Sequence, residues 1–393
     1  MFCTCAPGLA PYLEQEIAAL GYKITEQSPA GAGVRGNLDD AMRLSLHLRT
    51  AYAVMLRLAA FPCDGPDDLF QATLRLPWEE WLPPDGYFTV TSNVKHPTID
   101  NQMYPSLVVK DAVADRMQRQ CGHRPDSGPE RNGAVLWLRW QGSRAEVWLN
   151  ASGEKLTDRG YRKRPHTAPL RESLAAGILM AAGYDGERPL VNPMCGSGTL
   201  AIEGALLALN RAPGLLRGNF GFMHVTGFEK NKWEALRAQA RRQTVKKTPA
   251  PVIASDHDPH AIVAARHNAQ TAGVEHCIEF HVCDFAETPL PDPPGTLAVN
   301  PEYGVRLGHT DALREEYKRI GDFFKQQCSG WQCHIFTGNL ELGKCVGLRT
   351  SKRTIFHNAD LECRLLSYEI YDGSRKTRKQ FTTEITEGTE NEL

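Results

Sequence analysis

Hydrophobic and polar positions at the start of the chain follow the order strand, helix, strand, strand, helix, strand. Short apolar runs such as MFCTCA and AYAVMLRLAAF predict strands, whereas GLAPYLEQEIAAL and LDDAMRLSLHL carry apolar residues at helical spacing. Between these helices, YKITEQ and GVRGN are two more strand candidates. This order is typical of a ferredoxin-like domain, which we place at residues 1–61.

The next segment, residues 62–155, predicts a second α+β block. It contains the strand GYFTVTSNV, a long helix over QMYPSLVVKDAVADRMQRQ, and a hairpin in which AVLWLRW and RAEVWLNA flank Gln-Gly-Ser. The polar and basic stretch at 156–169 then predicts a linker. A solvated hinge and a functional basic surface are equally good interpretations of its charges.

From residue 170 to 375 the pattern becomes a regular alternation of helices and buried strands. LRESLAAGILMAAG, GTLAIEGALLALNR and PHAIVAARHNAQTAG predict helices, and apolar runs such as PVIASD and GTLAVN predict the strands between them. This alternation indicates an α/β domain with a doubly wound, mostly parallel sheet. The polar residues 376–393 are predicted to be disordered.

Composition narrows the class of protein and its environment. Apolar residues make up 41% of the 393-residue chain and charged residues 23%, as in a soluble globular protein. No apolar run is long enough to cross a membrane, and the start lacks the order of a secretory signal. The eleven cysteines show no CxxC pair or zinc-ligand spacing, which favours reduced thiols, a cytoplasmic location and no metal site. The net charge is −1, so any residues that bind nucleic acid must be clustered.

A glycine turn between a predicted strand and helix is the first candidate for chemistry. In VNPMCGSGTLAIEGA, Gly196 and Gly198 would let the backbone approach a ligand, and the following helix would direct its first amides toward it. No Lys-Ser/Thr pair follows, so the turn is not a P-loop, and the full G-x-G-x-x-G of a dinucleotide site is absent. A plain strand–helix turn is the alternative.

Two acids end the next two predicted strands. Asp256 closes PVIASD, where a carboxylate can accept hydrogen bonds from ribose hydroxyls, and Asp284 closes IEFHVCD, where it can receive an adenine amino group. Each alone is better explained as a cap or turn residue, as Asp258 before Pro259 is. Because ligands of open α/β sheets lie beyond the strand ends, the glycine turn and both acids together predict an S-adenosylmethionine site.

The segment NPEYG, residues 300–304, follows the fourth of these strands and has two interpretations. Asn-Pro and Tyr-Gly are ordinary turn dipeptides, but the same groups would face a substrate beside the cofactor's methyl group. NPMCGSGTLAIEGA together with NPEYG resembles the amino-methyltransferase pattern, whose fourth-strand motif is Asn/Asp-Pro-Pro-Tyr/Phe. The stretches SGEKLTDRGYRKRPHTAPLRESLAAGILM, RAPGLLRGNFGF and NADLECRLLSYEI resemble the THUMP-domain 23S rRNA guanine-N(2)-methyltransferases of the RlmL type.

The resemblance extends to about residue 372 and implies a fold, an activity and a set of residues. It implies a ferredoxin-like segment, a THUMP RNA-binding domain and a Rossmann-like class I methyltransferase domain, in the form with one methyltransferase. The implied substrate is 23S rRNA or a large-subunit assembly intermediate, without a membrane, a metal or an obligatory protein partner. The implied cofactor-binding residues are Asn192, Pro193, Cys195, Gly196, Gly198, Thr199, Asp256, Asp284 and Phe285. The implied catalytic residues are Asn300, Pro301 and Tyr303, and the candidate RNA-binding residues are Lys110, Arg159, Arg162, Lys163 and Arg164.

The motif suits methylation of an exocyclic base amine. The Asn300 side chain and the Pro301 carbonyl would accept the two amine hydrogens, and Tyr303 would stack on the base. No cysteine stands beside the motif, as a nucleophile for pyrimidine-carbon methylation would. Cys195, in the cofactor turn, is better explained by packing.

Two positions depart from the family pattern. Glu302 stands where Pro is usual, and Asn192 stands where relatives often have Asp. Guanine methylation of tRNA and adenine-N(6) methylation of DNA fit the same motif, since both targets are exocyclic amines. The alternative of a different class is an RNA-binding or rRNA-folding protein with impaired catalysis, which the two departures leave open.

Overall fold

The computed structural model describes residues 1–97, 99–101, 103–164, 170–304 and 310–371, and the chain forms two compact units. Of the described residues, the first unit contains 1–163, 170–177 and 209–246, and the second contains 164, 178–208, 247–304 and 310–371. The predicted disordered tail at 376–393 lies outside the described residues.

The elements follow in chain order. The strands are β1 Phe2–Cys5, β2 Ile24–Ser28, β3 Gly31–Val34, β4 Ala51–Pro62, β5 Tyr87–Lys95, β6 Asp126–Ser127, β7 Ala134–Gln141, β8 Arg144–Asn150, β9 Leu190–Asn192, β10 Val252–Asp256, β11 Ile278–Val282, β12 Thr296–Val299, β13 Gln332–Thr337, β14 Lys352–Asn358 and β15 Leu361–Glu369. The α-helices are α1 Ala10–Ala19, α2 Leu38–His47, α3 Pro66–Leu74, α4 Tyr104–Cys121, α5 Glu172–Ala181, α6 Thr199–Ala208, α7 Lys230–Gln243, α8 Pro259–Ala272, α9 Thr310–Gln327 and α10 Leu340–Cys345. None of the helices in the described part of the chain is long and apolar enough to span a membrane.

The first unit is built on one eight-stranded sheet in the order β2-β3-β1-β4-β8-β7-β5-β6. Its opening β1-α1-β2-β3-α2-β4 confirms the predicted ferredoxin-like order. Strand β4 pairs with β1 on one side and with β8 on the other, so the two sequence blocks share a continuous sheet. The predicted hairpin is β7–β8, and the long predicted helix is α4, which ends at Gly122 with φ +69°.

Local signals explain where the helices begin. The side chain of Asn37 accepts hydrogen bonds from the amides of Asp39 and Asp40, and the Asp40 carboxylate accepts one from the amide of Asn37. This reciprocal capping box satisfies amides that have no partner within α2. The predicted cap at Asp258 is also confirmed, because its side chain accepts from the amide of His260 at 2.8 Å.

The second unit contains a seven-stranded sheet in the order β11-β10-β9-β12-β13-β15-β14. Neighbouring strands from β11 to β13 are parallel, whereas β15 and β14 form an antiparallel edge. The predicted doubly wound, mostly parallel sheet is thus confirmed. Strand β9 lies between β10 and β12, so the chain reverses its direction of travel across the sheet there. In open α/β sheets such a reversal leaves a crevice at the carboxyl ends of the strands.

Residues 209–246, which lie within the range that we assigned to the catalytic domain, belong to the first compact unit. The Trp233 side chain of α7 is 2% exposed, and its ring lies edge-on to Phe220 and Phe222 with centroids 5.3 and 4.9 Å away. The buried Arg217 guanidinium donates to the backbone carbonyls of Ser152 and Glu154, each at 3.1 Å. The charged hydrogen bonds of Arg217 therefore tie this segment to the rest of the first unit, and the aromatic packing joins parts of the segment to one another.

Candidate cofactor-binding and active site

The carboxyl end of β9 places Asn192 in the interior of the second unit. Its Nδ2 donates to the carbonyl oxygen of Ala298 in the neighbouring β12 at 2.9 Å and to that of Pro193 at 3.3 Å. Its Oδ1 is buried and has no hydrogen-bond partner among the described residues. An acceptor left in this way at a strand end can receive a hydrogen bond from a bound ligand.

The turn after β9 has backbone conformations that glycine adopts readily. Gly196 has φ +54° and Gly198 has φ +82°. A Cβ added at Gly198 would lie 2.9 Å from the Cβ of Ala265 in α8, whereas one added at Gly196 would meet no atom within 4 Å. Gly198 is therefore required for close packing of the turn, and Gly196 leaves open space beside it.

The remaining residues of the turn are ordered by backbone contacts. The amide of Cys195 donates to the Ser255 carbonyl, and the amide of Gly198 to the Cys195 carbonyl, each at 2.9 Å. Burial raises the pKa of the Cys195 thiol well above its usual value, which agrees with a packing role for this side chain. Thr199 is buried at the first position of α6, so the early amides of that helix lie next to the turn.

Asp256 joins the second strand end to the glycine turn. Its Oδ2 accepts from the amide of Gly196 at 2.9 Å, and its Oδ1 accepts from the amide of Asp258 at 3.0 Å. The residue is 9% exposed. Because each carboxylate oxygen has more than one acceptor direction, these bonds orient Asp256 and leave it able to accept from ribose hydroxyls as well.

Asp284 is paired with a residue that the sequence did not identify. One Arg319 nitrogen donates to both carboxylate oxygens of Asp284, at 2.8 and 2.9 Å, and the guanidinium lies 4.8 Å from the ring centre of Phe285. Partial burial alone would raise the pKa of Asp284, but the hydrogen bonds from the Ala286 amide and Arg319 outweigh it and hold the pKa below its usual value. Asp284 is therefore a carboxylate at neutral pH.

The segment after β12 carries Asn300 and Pro301, the two residues that the motif implies as acceptors. Asn300 Oδ1 is buried and has no hydrogen-bond partner among the described residues, and the adjoining Pro301 is buried. The Tyr303 hydroxyl accepts from Nδ2 of Asn358 at 3.1 Å, and its ring lies edge-on to Phe336 at 6.4 Å. Burial raises the pKa of Tyr303 to about 12, so the phenol stays protonated at neutral pH.

Two glutamates lie near this segment. Glu302 is exposed, whereas Oε1 of Glu316 in α9 is buried and lacks a hydrogen-bond partner among the described residues. Burial, and then the charge of Glu302, raise the pKa of Glu316. The sequence analysis identified Glu302 as a departure, but nothing in the local pattern pointed to Glu316.

The five basic candidates have different environments. Arg159 is 1% exposed, and its guanidinium donates to the carbonyl of Arg49 at 2.8 Å, so in this structure it serves the fold. Arg162 is largely buried and pairs with Glu172 at 3.2 Å. Lys163 and Arg164 are exposed, and a partly exposed Lys110 pairs with its neighbour Asp111 at 3.4 Å.

Asn268 of α8 is another residue that sequence reasoning missed. This buried amide donates from Nδ2 to the carbonyl of Ser197 in the glycine turn at 3.1 Å and to that of Arg164 at 3.0 Å. Its Oδ1 accepts from the amide of Arg164 at 3.1 Å. The backbone of Arg164 is thereby fixed beside the cofactor turn.

The residues at the strand ends fit S-adenosylmethionine. The turn leaves open space at Gly196, and Asn192 offers a buried acceptor for an amino group. The hydrogen-bonded acids Asp256 and Asp284 offer acceptors for a ribose and an adenine. Among the residues that the structure describes, no group of three His, Cys, Asp or Glu side chains could hold a metal ion.

Comparison with known proteins gives the family. Residues 1–55 match the RlmL ferredoxin-like domain, 65–128 the THUMP domain and 159–367 the family described as RMKL-like, methyltransferase domain. A ribosomal RNA large subunit methyltransferase K/L of Syntrophotalea carbinolica is 39% identical over 94% of this chain and 53% of its own length. A Synechocystis protein named for RNA methyltransferase activity is 33% identical over 94% of this chain and 96% of its own.

A solved structure agrees with the same fold. SMU.472, named as a methyltransferase and complexed with SAH, is 25% identical and superposes with a TM-score of 0.86 over 95% of this chain and 98% of its own. The chain spans about half the length of the large-subunit methyltransferases K/L that it matches. The predicted fold and the resemblance to RlmL-type proteins are thus confirmed: the chain belongs to the RMKL-like methyltransferase family, with a ferredoxin-like and a THUMP domain preceding the methyltransferase domain.

Proposed function

We propose that this protein methylates the exocyclic 2-amino group of a guanine in 23S rRNA, with S-adenosylmethionine as methyl donor. The observation that carries the proposal is the segment after β12, where Asn300 presents a buried Oδ1 with no partner among the described residues. The names of the large-subunit rRNA methyltransferase relatives support rRNA as the substrate class. A cytoplasmic location is part of the same proposal.

The cofactor would be held by residues at the ends of three strands. Asn192 and the glycine turn would receive its amino-acid part, Asp256 its ribose, and Asp284 with Phe285 its adenine. When bound, S-adenosylmethionine supplies a methyl group already activated by the sulfonium, so the protein has mainly to position and orient the acceptor.

The loop residues would then make the amine a better nucleophile. The lone pair of an exocyclic guanine amine is delocalised into the ring. Hydrogen bonds from its two N–H groups to Asn300 Oδ1 and the Pro301 carbonyl favour a tetrahedral nitrogen, whose lone pair can attack in line. Tyr303, whose hydroxyl accepts a hydrogen bond from Asn358, would stack on the base, which contributes about 1–3 kcal/mol.

The high pKa of Tyr303 favours this role over that of a base. A phenol with a pKa of about 12 stays protonated, so the proton that the amine loses on methylation would pass to water, and S-adenosylhomocysteine would leave as the methyl group is transferred. Glu302 is the carboxylate within the loop itself, and we propose that it accepts a hydrogen bond from the guanine edge. In this interpretation the departure from the usual proline changes recognition of the base and preserves both amine acceptors.

The decisive test is transfer of labelled methyl from S-adenosylmethionine to 23S rRNA taken from cells that lack this gene, followed by nucleoside analysis. Labelled N(2)-methylguanosine is expected from the wild-type protein, and Asn300→Ala should lose it. Running free rRNA beside a large-subunit assembly intermediate identifies the preferred substrate. Label only in tRNA or DNA would overturn the rRNA assignment. Tight RNA binding without label would instead indicate a binding protein with impaired catalysis.

A further inference from the structure

The sheet of the first unit has one face that its helices cover and another that stays partly open. On the covered side, the Ser106 hydroxyl of α4 donates to that of Ser92 in β5 at 2.8 Å, and Leu149 of β8 is completely buried. Successive residues of a strand point to opposite faces. The residues that alternate with this buried set therefore form the other face.

Three strands, β4, β7 and β8, bring large polar and aromatic side chains into register on that other face. Arg57 of β4 lies opposite Trp148 of β8, and Trp148 lies opposite Trp137 of β7. In the next row, Glu146 lies opposite Arg139. Arg144 is the first residue of β8, and the alternation places it on the same side. We call this set the arginine–tryptophan face; its members are Arg57, Trp137, Arg139, Arg144, Glu146 and Trp148.

The charges on this face do not balance. The three arginine side chains are 56, 46 and 66% exposed, and all three approach the one carboxylate of Glu146, at 3.9, 3.6 and 3.9 Å. Ion pairs this long and exposed contribute little to stability. The face carries an excess of two positive charges, although the chain as a whole has a net charge of −1. A concentrated positive surface of this kind attracts a polyanion.

The tryptophans add a second, independent feature. Both are partly exposed on an open sheet. The guanidinium of Arg57 lies 5.7 Å from the ring centre of Trp148, whose Nε1 donates to Glu146 at 3.3 Å and so fixes the indole. A groove of about 340 Å³, lined by Arg35, Arg57 and Trp148 among others, adjoins this pair. Aromatic rings on an open sheet, with arginines around them, are the chemistry that stacks unpaired bases and holds their phosphates.

We propose that the arginine–tryptophan face binds a single-stranded segment of the RNA substrate. This inference rests on the proposed function for the substrate being RNA, and it assigns a binding surface separate from the residues at the carboxyl ends of β9 to β12. The arginines would contact phosphates, while Trp148 and Trp137 would stack on bases. Duplex RNA offers phosphates but no free base faces, so the face should prefer unpaired RNA.

The test measures binding of the full-length protein to a fluorescein-labelled single-stranded oligouridine and to a matched duplex, over a range of salt concentrations. Replacing Arg139 and Arg144 together by Ala should weaken single-strand binding about tenfold and lower the salt dependence, since each lost phosphate contact removes about 0.7 from the slope. Trp148→Ala should weaken it about ten- to hundredfold, and Trp148→Phe should retain most of the affinity because it keeps a ring.

A matched control is available in the same unit. Arg124 is 55% exposed and pairs with Asp111 and Asp115 of α4, so Arg124→Ala removes an equally exposed arginine from the other side of the sheet. It should leave RNA binding unchanged. Thermal unfolding of every variant separates loss of binding from loss of folding, and the arginine variants stay informative if Trp148→Ala unfolds.

Several results would overturn the proposal. The wild-type protein could fail to bind single-stranded RNA, or it could bind duplex and single strand equally well. Arg124→Ala could also lose as much RNA affinity as the arginine double variant. Variants that bind RNA normally but change the protein's sedimentation would assign the face to a second copy of the chain. If the wild-type protein forms N(2)-methylguanosine but the variants bind RNA as well as it does, the binding face is refuted and the proposed function is not. If the variants lose RNA binding as predicted but the wild-type protein transfers no methyl group, the proposed function is refuted and the binding face stays supported.

Discussion

Replacing Gly196 by Ala tests whether the turn after β9 is shaped around a ligand. The added methyl group would meet no protein atom within 4 Å, so it would not disturb the packing of the second unit. It would project into open space beside Asp256 Oδ2, which accepts the Gly196 amide hydrogen at 2.9 Å. If a cofactor lies there, the methyl group occupies room that the ligand needs.

The cost to folding can be worked out from the backbone. A left-handed conformation costs an L-residue about 1–2 kcal/mol, and Gly→Ala recovers about 0.4–1 kcal/mol by restricting the unfolded chain. Gly196 has φ +54°, so Gly196→Ala should lose about 1 kcal/mol of unfolding free energy. Gly183→Ala is the matched control, since Gly183 has φ +73° and also has no atom within 4 Å of an added Cβ.

Calorimetric titration with S-adenosylmethionine, beside urea unfolding, distinguishes the two variants. Both should lose similar stability, but only Gly196→Ala should bind the cofactor more weakly, by about tenfold, or 1.4 kcal/mol. Gly198→Ala should be the least stable of the three, because its Cβ would lie 2.9 Å from that of Ala265. Wild-type cofactor affinity in Gly196→Ala would refute the assignment of this turn to a ligand.

Four further changes follow from the same structure. Glu302→Gln should slow methyl transfer about tenfold or more, as expected for a lost hydrogen bond to a charged group, and full activity would contradict that role. Burial and the charge of Glu302 raise the pKa of Glu316 above 4.5, so the unfolding free energy of the wild type should fall as pH rises from 4.5 through the raised pKa. Glu316→Gln should lack this fall. Equal pH profiles of the two proteins in urea unfolding would contradict the prediction. Asn192→Asp should lose about 1–3 kcal/mol of unfolding free energy, since an oxygen would face the Ala298 carbonyl in place of a donor, and unchanged urea unfolding would contradict this. Trp233→Ala should cost about 3–5 kcal/mol of unfolding free energy in the first unit, because it removes a buried ring that packs on Phe220 and Phe222; near-native thermal unfolding would contradict this.

Much of the fold follows from local sequence signals. The helical spacing in GLAPYLEQEIAAL and the cap at Asp258 act within a few residues, so α1 and the start of α8 could be predicted. The link between Gly196 and Asp256 could also be anticipated, although the residues are 60 positions apart. Parallel neighbouring strands end at the same edge of a sheet, so the residues that follow β9 and β10 must meet.

Features that depend on side-chain contacts between distant segments could not be predicted in this way. Residues 209–246 follow a helix of the catalytic range, and nothing in their periodicity shows that Arg217 donates to the carbonyls of Ser152 and Glu154 in the first unit. The basic stretch at 156–169 suggested solvated charges, yet Arg159 is buried because backbone carbonyls distant in sequence accept its hydrogens. Charge alone does not distinguish an arginine that binds phosphate from one that completes a fold.

Arg319 shows why this difference matters for the cofactor site. The sequence assigned Asp284 to an adenine amino group because an acid ends the third strand, but the helix that follows NPEYG places a guanidinium on both of its oxygens. That pair is half-exposed, at 50 and 38%, so it contributes little to stability. Its stronger effect is on geometry and charge: it keeps Asp284 ionised and holds Arg319 against Phe285. Helix α9 also carries Glu316, whose pKa responds to Glu302. Asp284, proposed to bind adenine, and the proposed catalytic loop are therefore connected through one helix, and a ligand that competes with Arg319 for Asp284 would change the charges that act on Glu316.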